Sequence, residues 1–156
     1  MKLRLVGLSP AARATLTSIA RSLNLQDCVS VEGKVPISGL IDAYQSADIF
    51  VSASLSEGFY RPLIEAFACG LPAVIRDSSN LVSAVCQGHL NHLRKSGAGI
   101  AFDGTATSLV SSVNAILDDR QRYSDLAVRY SRQFAVEQVI PRYEIVYKGI
   151  LSRRWA

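Results

Sequence analysis

Cysteine is scarce and unpatterned: Cys28, Cys69 and Cys86 are three in number and nowhere closely spaced. That excludes a zinc knuckle or a Cys-X-X-Cys redox motif, and an odd set fits a reducing compartment better than a disulfide framework. Cys69 falls in an apolar helical run and reads as a small buried residue. Long apolar runs are missing as well, since none approaches the ~20 residues that span a bilayer. Lys2 and Arg4 are not followed by the apolar stretch and cleavage site of a secretory signal. A cytoplasmic location is therefore expected, at most at the inner face of a membrane. Charge of one sign is also in short supply: the net charge is +4 and the basic residues are scattered, so no nucleic-acid partner is expected. The nearest basic cluster, Arg153-Arg154 beside Trp155, reads as a solvated C-terminus, with anionic lipid or another domain as the alternative contact. Repeats, low-complexity segments and linkers are absent.

What remains is ordinary globular material. The chain has 156 residues, 49% hydrophobic and 19% charged, enough for one domain, residues 1–156, with a proper core. Strand and helix patterns alternate along it. Leu3 to Gly7 reads as a strand, Ser9-Pro10 as an N-cap and first helical position, and Leu16, Ile19, Ala20 and Leu23 as one helical face. Cys28 to Gly33 is a second strand, and after Pro36 a short helix carries Leu40, Ile41 and Tyr44. Asp48 to Ser52 is a third strand, apolar enough to be buried on both faces. A helix opened by Pro62 and closed by Gly70 precedes a fourth strand, Pro72 to Ile75. The stretch from Ser78 to Gly97 reads as a short helix from Leu81 to Cys86 followed by irregular chain. Gly99 to Phe102 is a fifth strand. From Thr105 onward the pattern is helical, with stripes at Leu109/Val113/Ile116/Leu117, at Tyr123/Leu126/Ala127/Tyr130, and along Val139 to Leu151. Strands separated by helices predict an α/β, Rossmann-like parallel sheet with helices on both faces, and ligands in such sheets bind at the carboxyl ends of the strands.

The segment Ser54 to Pro72 carries the chemistry. Glu57 and Glu65 are separated by seven residues, Glu57 in the loop after a strand and Glu65 on the first turn of the next helix. Amides near Gly58, Phe59 and the helix start suit a diphosphate. Gly58 lets a backbone approach a ligand, and carboxylates accept paired hydrogen bonds from vicinal hydroxyls. A nucleotide-sugar clamp is one reading; a Glu serving only the helix dipole is the other. His89 and His92 share a helical face but lack a third ligand nearby, so they read as ordinary surface histidines rather than a metal site. Tyr143 and Tyr147 read as core packing.

Glu57-Gly58-Phe59, Pro62, Glu65-Ala66, Ala68-Cys69-Gly70 and Pro72 stand in register with the pattern EGFGxPxxEAxAxGxPV. The flanks agree: the Val29–Gly33 strand, Tyr44, Ala47-Asp48, Ser54 and Gly99. From Leu3 to Leu151 the chain resembles the C-terminal, donor-binding domain of retaining GT-B glycosyltransferases of group 1, also called family 4. The resemblance implies a nucleotide-sugar-binding domain acting in retaining, metal-independent glycosyl transfer, with a UDP-, GDP- or ADP-linked sugar as substrate and no cofactor. By position, Glu57 serves as the catalytic-site group that orients the donor sugar, with Gly58, Phe59 and Tyr60 beside the sugar and phosphates. Glu65 binds the ribose, Leu63 joins the donor contacts, and Lys34 and Val35 border the base.

Three departures from the family pattern bear on activity. Tyr60 and Arg61 replace a glycine and an apolar residue; Tyr60 adds bulk beside the sugar pocket, and Arg61 either supplies charge to a phosphate or is merely solvated, the second reading being slightly favoured. Ser78-Ser79 replaces a glycine pair, which makes close backbone approach there less expected. The first strand-helix unit of the family's C-terminal domain, with its diphosphate-gripping arginine and lysine, has no counterpart, and neither has the acceptor-binding N-terminal domain. Weak or no transfer by this chain alone is expected, with the gap at the middle of the sheet closed by repacking or by a second chain, a homo-oligomer included. A fragment or degenerate domain that binds a nucleotide or a protein without catalysis is the alternative.

Overall fold

A computed structural model describes residues 1–81, 83 and 86–153. The Arg154 and Trp155 part of the basic terminus lies outside the described residues, as do Val82, Ala84 and Val85 of the short helix expected before Cys86. The chain divides into two compact units, Met1–Ala43 and a second that begins at Tyr44. All strand pairing is parallel, in a two-stranded and a three-stranded sheet.

In the first unit, β1 (Leu3–Leu8) pairs with β2 (Val29–Gly33) through Leu3↔Val29, Arg4↔Ser30 and Leu5↔Val31. The register shifts before Leu8, where Gly7 takes a left-handed φ of 89°. Arg4 forks onto Glu32 across the pair, Nε donating to Oε1 at 2.6 Å and Nη2 to Oε2 at 2.9 Å. Ser9 caps α1 (Pro10–Ser22) by accepting the Ala12 N–H at 3.3 Å, with Pro10 opening the helix as its sequence position demands. Helix α2 (Ile37–Gln45) follows β2 and runs across the unit boundary.

The second unit is built on β3 (Phe50–Ser52), β4 (Ala73–Arg76) and β5 (Gly99–Phe102), in the order β3-β4-β5. Central β4 is buried on both sides, which its unbroken Ala73-Val74-Ile75 run anticipates. On one face, Ala73 and Ile75 meet Leu63 and Phe67 of α3 (Arg61–Ala68), Leu90 and Leu93 of α4 (Gly88–Ser96), and Ala127 of α6 (Arg120–Ser131). On the other, Val74 and Phe102 meet Ile116 of α5 (Ala106–Asp118), with Leu109 and Val113 packed around them. The parallel α/β class with helices on both faces is thus as the alternating pattern implied. Thr105 caps α5 by accepting the Ser108 N–H.

Four local expectations are corrected. Strand β3 begins at Phe50 and is not buried on both faces: Val51 is 40% exposed, β3 lying at the end of the β3-β4-β5 order and pairing, among the described residues, with β4. The stretch read as irregular before Gly97 holds α4, closed by Gly97 in the left-handed region with its N–H on the Leu93 carbonyl. That helix has weak periodicity because polar His89, Asn91, His92 and Lys95 interrupt its apolar residues. Helix α7 (Val136–Arg153) forms where its stripe predicted, but Tyr143 and Tyr147 are 61% and 63% exposed rather than core. The helix packs chiefly on a 3-10 turn, Arg132–Phe134, which leaves most of the stripe uncovered. The α1 stripe is only half used, Ala20 being buried while Ile19 and Leu23 stay exposed.

Gly99 ties β5 to β4 most tightly: a Cβ there would overlap the Ala73 carbonyl and press on Leu93 at 2.8 Å. Gly99→Ala should lower stability by about 1–3 kcal/mol. Urea unfolding would read this as a lower midpoint at unchanged slope, and an unshifted midpoint would refute the contact.

Candidate functional site

The loop between β3 and α3 carries the acidic segment, and backbone bonds hold both ends of it. Glu57 donates its N–H to the Cys86 carbonyl at 2.8 Å and accepts the Gly88 N–H at 2.9 Å, an isolated parallel bridge to Gln87. The start of α4 can come this close because Gly88 lacks a side chain; a Cβ there would overlap the Gly58 carbonyl. Gly58 itself faces open space, with no atom within 4 Å of where its Cβ would be. At the far end, Tyr60 takes φ 56°, ψ 66° and leads into α3. A non-glycine residue in the left-handed region is strained, and the compensation is visible. The Tyr60 ring packs against Phe50 and the core, and its hydroxyl donates to Ser52 Oγ at 2.9 Å. Its bulk is therefore packed against the core.

Each carboxylate has a hydroxyl partner. Ser54 Oγ donates to Glu57 Oε1 at 2.8 Å, and the Tyr44 hydroxyl donates to Glu65 Oε2 at 3.3 Å. Glu57 is half-buried and Glu65 exposed. Burial first, then the Glu65 charge, pushes the Tyr44 hydroxyl well above its ordinary value, so it remains a donor. Burial likewise raises Tyr60, opposed by its Ser52 bond and reinforced by Glu57. Glu65 opens the second turn of α3 rather than lying on the first, because the helix starts at Arg61. Tyr60 offers no side-chain cap. Among the described residues, the N–H groups of Gly58, Phe59, Tyr60 and Arg61 have no backbone acceptor, whereas Leu63 N–H is on the Tyr60 carbonyl at 3.2 Å and Pro62 has none to give. The free donors therefore come from the loop more than from the helix.

The remaining expected residues fall as follows. Leu63 is fully buried in the core with its amide used, which leaves neither side chain nor N–H for a donor. Phe59 is 53% exposed and rests edge-on against His92 at 4.8 Å and Phe134 at 5.4 Å. Arg61 is exposed. Lys34 and Val35 lie between β2 and α2 in the first unit, Lys34 exposed and Val35 half-buried. That unit also holds a cavity of about 800 Å³ lined by Arg13, Thr17, Arg21 and Lys34 among others, and none of its lining belongs to the acidic segment.

Sequence reasoning missed the histidines' environment. His89 is fully buried, and His92 is half-buried with Nδ1 paired to the Tyr130 hydroxyl at 2.9 Å; neither is a surface histidine. Their helical spacing was legible, but a helix read as irregular chain offers no inward face to place them on. Burial is the main cause that holds both below the ordinary value of 6.5. An unfolded chain therefore binds protons that the folded one refuses, so stability is full above about pH 6.5 and falls as pH drops below it. Glu32, Asp77 and Asp103, held below the usual carboxylate range by bonds from Arg4, Ser79 and Thr105, add to the loss only in stronger acid. Urea midpoints should decline between about pH 7 and pH 5, and His92→Phe should flatten part of that slope; a flat wild-type profile would contradict the burial.

With the geometry in hand, the comparisons agree with one another. The family model described as Glycosyl transferases group 1 matches residues 1–133. A D-inositol 3-phosphate glycosyltransferase of Thermobispora bispora is 30% identical over 92% of this chain and 32% of its own length. The lipopolysaccharide core biosynthesis mannosyltransferase LpsB of Rhizobium meliloti is 29% identical over 90% of this chain and 42% of its own. Among solved structures, sucrose-phosphate synthase from Thermosynechococcus elongatus superposes with a TM-score of 0.79 at 23% identity, over 97% of this chain and 39% of that one. The chain belongs to the group 1 family of glycosyl transferases, and its fold is that of GT-B glycosyltransferases. It spans about a third of the length of the first of these relatives.

Proposed function

We propose that this chain binds the nucleotide-diphosphate sugar of a retaining, metal-independent glycosyl transfer, of the class also called family 4. The observation that carries the reading is a pair of tethered carboxylates, Glu57 on Ser54 and Glu65 on Tyr44, flanking a loop whose N–H groups at Gly58 to Arg61 lack backbone acceptors. Carboxylates suit sugar and ribose hydroxyls; free amides suit a diphosphate. One relative is named as a D-inositol 3-phosphate glycosyltransferase and another as a lipopolysaccharide core biosynthesis mannosyltransferase. What they have in common is glycosyl transfer, and the donor side is the part that can be shared.

In this reading Glu57 orients the transferred sugar and Glu65 holds the ribose. The loop amides stabilise the charge that builds on the departing diphosphate, the step where fixed dipoles act most strongly. The acceptor is bound by a further domain or a second chain, and this chain alone transfers weakly or not at all, in the cytoplasm or at the inner face of a membrane. The exposed apolar stripe of α7 favours a second reading, a nucleotide- or protein-binding module that catalyses nothing.

Calorimetric titration with UDP, GDP and ADP and with their sugar conjugates separates these readings. Glu65→Ala should weaken nucleotide and nucleotide-sugar binding alike, by about tenfold or more for a hydrogen bond to a charged group. Glu57→Gln should weaken only the sugar conjugates. Absence of binding by the wild type at millimolar concentration would favour the second reading, and unchanged affinity in Glu65→Ala would remove its ribose role.

A further inference from the structure

His92 stands a turn further along α4 than Gly88, whose N–H fastens the acidic loop. Its ring meets that loop at Phe59 in two ways. The Phe59 ring rests edge-on against it at 4.8 Å, and the Phe59 backbone hydrogen-bonds it. That bond favours the charged imidazole, so the backbone group is the carbonyl and a ring N–H donates to it. Elsewhere on the ring, Nδ1 pairs with the Tyr130 hydroxyl of α6 at 2.9 Å. A neutral imidazole whose N–H lies on a carbonyl has one lone pair left, and the Tyr130 O–H fills it, which sets both tautomer and ring plane. Phe134 packs edge-on at 5.4 Å. The half-buried histidine is a link between α6 and the loop, with its polar groups on both sides in use.

The consequence falls on the next amide. A trans peptide sends its carbonyl and its N–H to opposite sides, and the described chain has no cis peptide. With the Phe59 carbonyl on His92, the Tyr60 N–H points away from α4, and it has no backbone acceptor among the described residues. Tyr60 is also the strained position of the loop, at φ 56°. Its ring and hydroxyl fix its own side chain on the core and on Ser52; the peptide before it is held by His92. A carbonyl that accepts a hydrogen bond polarises its peptide and makes the N–H of the same unit a better donor. We propose that His92 is a positioning residue for the donor site: it holds the Phe59 carbonyl so that the Tyr60 N–H stands free and aimed at the diphosphate of the nucleotide sugar. Tyr130 in turn holds the imidazole. The histidine touches no substrate and acts through the loop. This inference rests on the nucleotide-sugar reading above and deepens it.

The test uses the whole 15N-labelled chain, with UDP, GDP and ADP and the matching monophosphates as probes. Saturation with a diphosphate that binds should shift the Tyr60 amide proton downfield, as an N–H does on meeting a phosphate oxygen, while its monophosphate leaves that signal in place. His92→Phe keeps a ring against Phe59 and Phe134 but has no N–H. It should bind that diphosphate about tenfold more weakly, the worth of one hydrogen bond to a charged group, with monophosphate affinity unchanged. His92→Gln, which restores an N–H, should recover most of the loss; a ring that served packing alone would give the reverse order. The amide shift needs no variant, so it decides even where a substitution unfolds the chain. A Tyr60 amide unmoved at saturation, a His92→Phe affinity equal to wild type, or a His92→Gln that binds no better than His92→Phe overturns the proposal. If the wild type binds and Glu65→Ala weakens binding while the Tyr60 amide stays in place, this inference alone falls. If no diphosphate binds the wild type, the donor-site reading falls with it.

Discussion

The arrangement of the candidate site depends on one backbone contact, the bridge between Glu57 and Gln87. Two hydrogen bonds fasten the loop after β3 to the start of α4, and they can form only because Gly88 brings no Cβ against the Gly58 carbonyl. The bridge sets where the Glu57 carboxylate sits. The loop it fastens carries the amides of Gly58 to Arg61, which have no backbone acceptor among the described residues, and His89 follows Gly88 on α4. A parallel sheet places ligands at the carboxyl ends of its strands; here the bridge converts that general location into a particular rim.

Around that rim, polar side chains act in pairs of unequal depth. Ser54 and Tyr44 hold the carboxylates with single hydroxyl bonds that a bound hydroxyl could replace. Deeper in the unit, Ser52 and His89 are buried and Tyr60 is half-buried with its ring on the core, where a polar atom has less water to fall back on. The strained conformation of Tyr60 is tolerated because its ring and hydroxyl are both engaged in that layer. The upper set can exchange partners at little cost. The lower set cannot, so it determines which loop conformations are available to the upper one.

Much of this was readable from residue order, and the reasons are specific. Ser9-Pro10 and Thr105 were legible helix starts because capping is local chemistry, satisfied within three or four residues. The run Ala73-Val74-Ile75 announced a strand covered on both sides. The acidic pair was legible through its place after a strand and on a helix. Other features were not, for equally specific reasons. Helix α4 escaped because polar residues interrupt its apolar face, and with it went the burial of His89. Gly88 looked like any glycine, since the atom it avoids belongs to a residue thirty positions earlier. Leu63 sits inside the motif, yet its side chain is core. The Tyr143/Tyr147 stripe had the period of a buried face, and period alone does not say what covers it.

Residue order by itself determined the family, the parallel α/β class, the helix caps and the two carboxylates, all of them set by short-range sterics, hydrogen bonding or a linear motif. Only the tertiary structure decided which hydroxyl holds each carboxylate, that Gly88 lets the start of α4 meet the Gly58 carbonyl, and that His89 is buried. Those outcomes depend on atoms far apart in the chain meeting at van der Waals distance, and a one-dimensional pattern does not encode a distance of that kind.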